Sequence, residues 1–253
     1  MDLLLSNKSV LVTGSSKGIG YHIAKAFLTE GARVMITGRD RESLNIAEKS
    51  LEKIGEVISF CGDMTNSAEI DRAIVMAEKK FGGIDVVIAN VGDGSVGGVE
   101  ISQEEWHSAL QTNFVGAMIL VAKTTPLLIK QKGNIIFIAS IAGVESMGAS
   151  LPYGASKAAL LSAMKGLARE IGPKGVRVNA IAPGNIFFPG GRWEQKLSER
   201  KEYFENYIKT EVPLGRFGSP EEIANTALFL ASPLSSFTTG ACFVVDGGQT
   251  KRF

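Results

Sequence analysis

Short apolar runs alternate with longer amphipathic stretches from the start of the chain to about residue 180. The runs at 9–13, 33–37, 57–61, 84–89, 134–139 and 176–180 are mostly continuous in apolar residues, which predicts strands buried on both faces, as in a parallel sheet. Between them, 18–30, 41–54, 68–81, 103–131 and 152–171 carry helical periodicity, with a break expected inside the fourth. Such alternation implies right-handed crossovers, and so an α/β fold: a doubly wound, Rossmann-like parallel sheet of about seven strands with helices on both faces. After Pro183 the rhythm changes. Residues 184–191 are rich in Gly, Pro and Phe, and a polar helical stretch continues to about residue 209. Ser219-Pro220-Glu221-Glu222 then reads as a helix start, and 241–245 as a last strand. No repeat or linker divides the chain, so 1–253 is expected to be a single domain with 184–210 as a lid.

Composition narrows the function classes. A net charge of +1 offers no electrostatic footprint for nucleic acid or an anionic membrane. No stretch approaches about 18 uninterrupted apolar residues, and the first ten residues do not resemble a secretion signal, so a cytoplasmic location is expected. Cys61 and Cys242 stand far apart, and His22 and His107 lack neighbours at ligand spacing, so neither a disulfide framework nor a metal is expected. Small-molecule partners remain.

The first strand runs directly into Gly14-Ser15-Ser16-Lys17-Gly18-Ile19-Gly20 and then a helix. Glycines there let backbone N–H groups and the helix N-terminus approach a pyrophosphate, which predicts a dinucleotide site. The end of the second strand selects the dinucleotide. An acid at that position would hold a ribose 2′-hydroxyl, whereas this chain reads Thr37-Gly38-Arg39, with Lys17 as a second cation. A guanidinium suits a 2′-phosphate, so NADP(H) is the expected cofactor. Asp40 keeps NAD(H) open as the alternative, were its side chain to turn toward the ribose.

The fifth strand ends at Ser140, and Tyr153-Gly154-Ala155-Ser156-Lys157 follows thirteen residues later. Ligands of doubly wound sheets bind beyond the carboxyl ends of the strands, which puts Ser140 at the crevice. Tyr153 and Lys157 are one helical turn apart on one face. An ammonium about 5 Å from the phenol is worth about 3 kcal/mol at an effective dielectric near 20, enough to lower its pKa by about two units. Tyr153 is therefore the expected general acid/base.

These residues, with others in order along nearly the whole chain, resemble the short-chain dehydrogenases/reductases of about 250 residues. The motifs are Thr13-Gly14-x-x-x-Gly18-Ile19-Gly20, Asp63, Ala89-Asn90-Val91-Gly92, Asn113, Ser140, Tyr153-x-x-x-Lys157, Arg177-Val178-Asn179, Pro183-Gly184 and Asp246-Gly247-Gly248. The resemblance implies hydride transfer between a nicotinamide and a carbonyl or secondary alcohol. Ser140 would hydrogen-bond the substrate oxygen, Tyr153 would move its proton, and Lys157 would bind the nicotinamide ribose. Asn113 would hold a relay water, although a helix-break role stays open for it, as a turn-forming role does for Asp63. Asp63 and Met64 would flank the adenine, Asn90 and Gly92 would line the cleft, and Ile186 after Pro183-Gly184 would meet the carboxamide. A homotetramer, or a dimer, paired through the small-residue helix 152–171 is implied as well. Two departures stand out: Ala89 replaces the first Asn of Asn-Asn-Ala-Gly and Val91 its Ala, and Phe188 stands near a position where the family often has Thr.

The substrate is open in the sequence. Its expected walls are 93–98, 141–147 and the lid, where Phe187, Phe188 and Trp193 accompany Arg192 and Lys196. That set suits a molecule with an apolar face and an acidic or sugar-like part, and equally a lid packed on the body with its charges in solvent. Acyl, steroid, sugar and polyol substrates all remain candidates, including a 3-oxoacyl carrier-protein type. Two other classes compete: a non-catalytic NAD(P)-binding sensor, and a serine hydrolase suggested by Ser162-x-x-Lys165 and Ser198-x-x-Lys201 but without an accompanying motif.

Overall fold

The computed structural model describes residues 2–94 and 100–252. Seven parallel strands form one sheet in the order β3-β2-β1-β4-β5-β6-β7. They are β1 (Ser9–Val12), β2 (Arg33–Gly38), β3 (Val57–Cys61), β4 (Val86–Ala89), β5 (Asn134–Ile138), β6 (Arg177–Pro183) and β7 (Cys242–Val245). The chain builds outward from β1 to β3, then returns to place β4 on the other side of β1. The order reverses between β1 and β4, and a crevice opens there at the carboxyl ends.

Side-chain alternation divides the core into two layers. Val10, Val12, Val34 and Ile36 face α1 (Gly18–Thr29), α2 (Arg41–Leu51) and α8 (Pro220–Ala231). Leu11, Met35, Val87 and Phe137 face α3 (Ser67–Phe81), α5 (Gly116–Gln131) and α6 (Leu151–Ile171). Burial of both faces is why the central strands read as unbroken apolar runs. The sequence boundaries hold to within a few residues. The largest differences are α2, which ends at Leu51 rather than 54, and β6, which extends to Pro183.

The break expected within 103–131 takes a specific form. α4 (Gln103–Leu110) and α5 stay continuous through one π-helical turn, Gln111–Val115. This extra residue per turn rotates Asn113 inward, where it is fully buried. By its length and the apolar character of an 18-residue stretch within it, the helix Gln103–Gln131 could also cross a bilayer. Its Leu120, Val121 and Leu128 are instead committed to the core against the sheet.

α8 supports the cofactor end because it packs against α1. Its start is a capping box: Glu222 accepts from the Ser219 N–H at 2.8 Å and from Arg216 Nη2 at 2.7 Å. The hydrogen bond from Arg216, followed by that from Ser219, holds the Glu222 carboxyl down to about 2 from an ordinary 4.5. A depressed carboxylate stabilises the fold where it is ionised and loses that contribution as pH falls through the folded value. Glu222→Gln should therefore lower the thermal midpoint at pH 7, and the gap to the unaltered protein should close between pH 4.5 and 2; a gap independent of pH would refute the ionic account.

Candidate active site

Loops at the carboxyl ends of β1, β4, β5 and β6 enclose a cleft of about 540 Å³. Gly14, Ser16, Lys17, Gly18, Ile19 and Gly20 line one end, and Gly18 adopts φ +59°, a left-handed conformation that L side chains rarely take. The loop is held by three hydroxyl groups that the sequence motifs include without assigning them a role. Thr37 Oγ1 accepts from the Gly14 N–H at 3.2 Å, and Ser15 Oγ accepts from the Thr37 N–H at 2.9 Å. Thr13 Oγ1 accepts from the Asn90 N–H at 3.0 Å. Their only sequence signal is a hydroxyl at the end of an apolar strand or at the turn that follows it.

The substitution of Ala89 for Asn leaves this network closed. Asn90 Nδ2 donates to Thr13 O and Gly14 O, both at 2.9 Å, and so adds to the bonds by which Thr13 ties β4 to the loop. Asn90 and Gly92 both line the cleft.

At the end of β2, Gly38 and Arg39 face the cleft beside Lys17, and Asp63 and Met64 come in from the end of β3. Asp40 is turned away from the role that would have kept NAD(H) open: its Oδ1 caps α2 by accepting from the Ser43 N–H at 2.8 Å, and the Ser43 hydroxyl, followed by that N–H, holds its carboxyl below the ordinary range. A β-carbon on Gly38 would stand 3.2 Å from Ser16 Cβ, so this corner is crowded for an acid as well. Asp63 does form a turn, its Oδ1 accepting from Thr65 N–H at 2.9 Å and Oγ1 at 2.8 Å, while still lining the cleft.

Deeper in, β5 delivers Ser140 and α6 delivers Tyr153 and Lys157 to the same wall. The Ser140 hydroxyl hydrogen-bonds the Tyr153 phenol and accepts from the Ala142 N–H at 3.1 Å. Lys157 is 3% exposed; its Nζ donates to Ile138 O at 2.9 Å and lies 5.8 Å from the Tyr153 ring centroid. Burial pushes the ammonium down to about 8 from an ordinary 10.5.

The expected lowering of the phenol is not what this structure has. Burial raises the Tyr153 pKa, and the Ser140 hydrogen bond and the Arg192 charge offset this only in part, with Asp93 adding to the rise. The neighbouring charge alone would lower the phenol, but desolvation outweighs it here.

Asn113 does not line the cleft. Its Oδ1 accepts from the Asp93 N–H at 2.9 Å, and its Nδ2 donates to Asp93 O and Ala109 O at 3.0 Å. It sits close behind the ammonium, because a β-carbon on Gly92 would meet Asn113 Oδ1 and Lys157 Nζ, each at 2.9 Å. Pro183, Gly184 and Ile186 close the far wall, and a bridge from Ile186 to Gly218 fixes that segment.

The segment after Pro183 divides its aromatics and cations. Phe188 covers the glycine loop, its Cζ 2.6 Å from where a β-carbon on Gly18 would stand. Phe187 packs on Phe217 at 5.8 Å. α7 (Arg192–Glu211), kinked at Arg200, carries Arg192 and Trp193 to the cleft. Trp193 also stacks on Tyr207, whose hydroxyl accepts from Gln249 Nε2 at 2.7 Å. Lys196 is absent from the cleft lining and lies over the Trp193 ring, 4.3 Å from its centroid. Of the expected substrate wall at 93–98, only Asp93 and Gly94 fall within the described residues. No cluster of His, Cys, Asp and Glu suited to a metal occurs among the described residues.

The comparisons with known proteins agree with this architecture. A family model described as enoyl-(acyl carrier protein) reductase matches residues 13–250. The 3-oxoacyl-[acyl-carrier-protein] reductase of Chlamydia muridarum is 38% identical over 98% of this chain and 100% of its own. Mouse dehydrogenase/reductase SDR family member 4 is 32% identical over 98% of this chain and 89% of its own. L-Sorbose reductase from Gluconobacter frateurii, solved in complex with NADPH and L-sorbose, superposes with a TM-score of 0.95 at 33% identity, covering 100% of both chains. The chain belongs to the short-chain dehydrogenase/reductase family and is an oxidoreductase of that type.

Proposed function

We propose that this protein is an NADPH-dependent reductase of a carbonyl substrate, with Tyr153 as the proton donor. The observation that carries the reading is the buried ammonium of Lys157 beside a phenol that Ser140 hydrogen-bonds. Ser140 donates to and orients the substrate oxygen. Tyr153 gives that oxygen its proton as negative charge develops there, and Lys157 stabilises the phenolate left behind. A phenol kept above its ordinary pKa is protonated at neutral pH, which suits donation, the reductive direction. NADPH, when bound, supplies the hydride.

The cradle suits that cofactor. The glycine loop and the first turn of α1 offer N–H groups for a pyrophosphate, and Lys17 with Arg39 offers charge for a 2′-phosphate. Asp63 and Met64 flank the adenine, Asn90 and Gly92 line the channel, and Ile186 beyond Pro183 and Gly184 meets the carboxamide. Asn113 acts on Lys157 from behind; its two side-chain atoms are engaged by Asp93 and Ala109, so it fixes the wall rather than lining it. The NADPH complex of L-sorbose reductase supports the choice of dinucleotide. Residues 1–253 act as a single domain with 184–210 as a lid, in the cytoplasm, as a homotetramer or dimer, and without nucleic acid or membrane partners. The names of the relatives support acyl and sugar-type ketones alike.

Tyr153→Phe should lower turnover by about 10²- to 10⁴-fold with NADPH affinity nearly unchanged. A non-catalytic sensor would show no carbonyl-dependent NADPH oxidation before or after the change. Arg39→Ala should weaken NADPH binding by about 10- to 100-fold and leave NADH almost unaffected, since only the former has the 2′-phosphate; equal losses would place Arg39 elsewhere. The kcat/KM for NADPH reports the free enzyme, so it should fall as pH rises through about 8, where Lys157 loses its proton. A flat profile to pH 9.5 would contradict the need for that ammonium.

A further inference from the structure

Arg192 enters the cleft from the first turn of α7, where the helix dipole disfavours a cation, so helix stability does not account for it. Its guanidinium reaches across to the wall that follows β4. A β-carbon on Gly94 would stand 2.6 Å from Arg192 Nη1, so it is the bare backbone there that admits the side chain. Arg192 lines the same cleft as Ser140 and Tyr153. The other cations of this region are engaged: Lys157 on Ile138 O, and Lys196 on Trp193. Arg192 makes no ion pair among the described residues, even though Asp93 shares the cleft. Its segment is fixed to the body, through Trp193 stacked on Tyr207 and Tyr207 bonded to Gln249.

We propose that Arg192 determines which carbonyl compounds are accepted: the substrate carries an anionic group, carboxylate or phosphate, which the guanidinium takes while the carbonyl faces Ser140 and Tyr153. This rests on the reading of that pair as the reaction centre. A planar fork matches either anion with two hydrogen bonds, and a bound anion supplies the partner that the protein withholds. A neutral acyl chain lying there would instead strip water from the exposed guanidinium without replacing it, an unfavourable contact. Asp93 repels the same anion and limits its affinity.

The test is calorimetric titration of the NADPH complex, in which Lys17 and Arg39 are already covered, with succinate, inorganic phosphate and neutral succinamide. Turnover is read alongside on two pairs differing by one anionic group: levulinate against methyl levulinate, and dihydroxyacetone phosphate against dihydroxyacetone. Succinate or phosphate should bind and succinamide should not, the arm that responds telling carboxylate from phosphate. Arg192→Gln should weaken that binding by about 10- to 100-fold and cut the anionic-to-neutral ratio of kcat/KM by the same factor. Arg192→Lys should keep part of both, and Asp93→Asn should strengthen anion binding. No anion binding, or binding indifferent to Arg192→Gln, overturns the inference, as does a loss confined to NADPH affinity. Anion binding that depends on Arg192 without turnover of any of the four compounds would leave this inference standing and sink the reductase reading instead.

Discussion

A charged lysine buried beneath a tyrosine constrains everything around it. An ammonium taken from water needs compensation, and among the described residues Lys157 finds a single carbonyl, Ile138 O, rather than a carboxylate. The balance is poor enough that its proton is held only to about pH 8. The neighbourhood follows from keeping that charge in place. Gly92 lacks a side chain because a β-carbon would touch both the ammonium and Asn113. The π-helical turn rotates Asn113 in behind it, and the amide then pins the backbone of Asp93 with two hydrogen bonds. Gly143 lets the loop after Ser140 press onto the backbone of Lys157 itself, since a β-carbon there would stand 2.6 Å from the Lys157 carbonyl carbon. A carboxylate beside Lys157 would hold the ammonium more firmly, but it would also neutralise the field felt by the phenol.

Much of the frame was legible because period and chemistry pointed the same way. Continuous apolar strands, a glycine turn after the first of them, and a Tyr-x-x-x-Lys pair on a helix need no tertiary knowledge to be read. What could not be read depended on contacts between distant segments. The helix break became a π turn because Asn113 finds its partners on Asp93 and Ala109, the first of them outside its own helix. Asp40, which left the cofactor choice open, is settled locally by Ser43, a bond that its N-cap position could have suggested. The reading failed most instructively at Tyr153. Spacing gave the neighbouring charge, but the desolvation that raises this phenol depends on how the folded chain packs around it.

The segment after Pro183 shows a similar limit. Its aromatics and cations form one undifferentiated cluster in sequence, yet three dimensions sort them. Phe188 presses on the glycine loop, Phe187 and Trp193 meet Phe217, and Lys196 lies on Trp193, so Phe188, Arg192 and Trp193 line the cleft while Phe187 and Lys196 do not. The sequence names Arg192 and Lys196 together in the lid; it could not place Gly94 opposite the first of them.

Charge in the cleft is thus arranged at three separate places. Lys17 and Arg39 mark the part suited to a 2′-phosphate, Arg192 lies against the wall after β4, and Lys157 is buried beside the Tyr153 ring. Three separate cationic positions in a chain of net charge +1 reflect local placement rather than bulk composition. These positions differ in kind: Lys17, Arg39 and Arg192 are exposed, whereas Lys157 is buried and poised to lose its proton as pH rises through about 8. Loss of that proton would remove the charge that faces the Tyr153 ring. The same enclosure that weakens the lysine's hold on its proton strengthens the tyrosine's, so the cleft by itself favours the state in which Tyr153 has a proton to give.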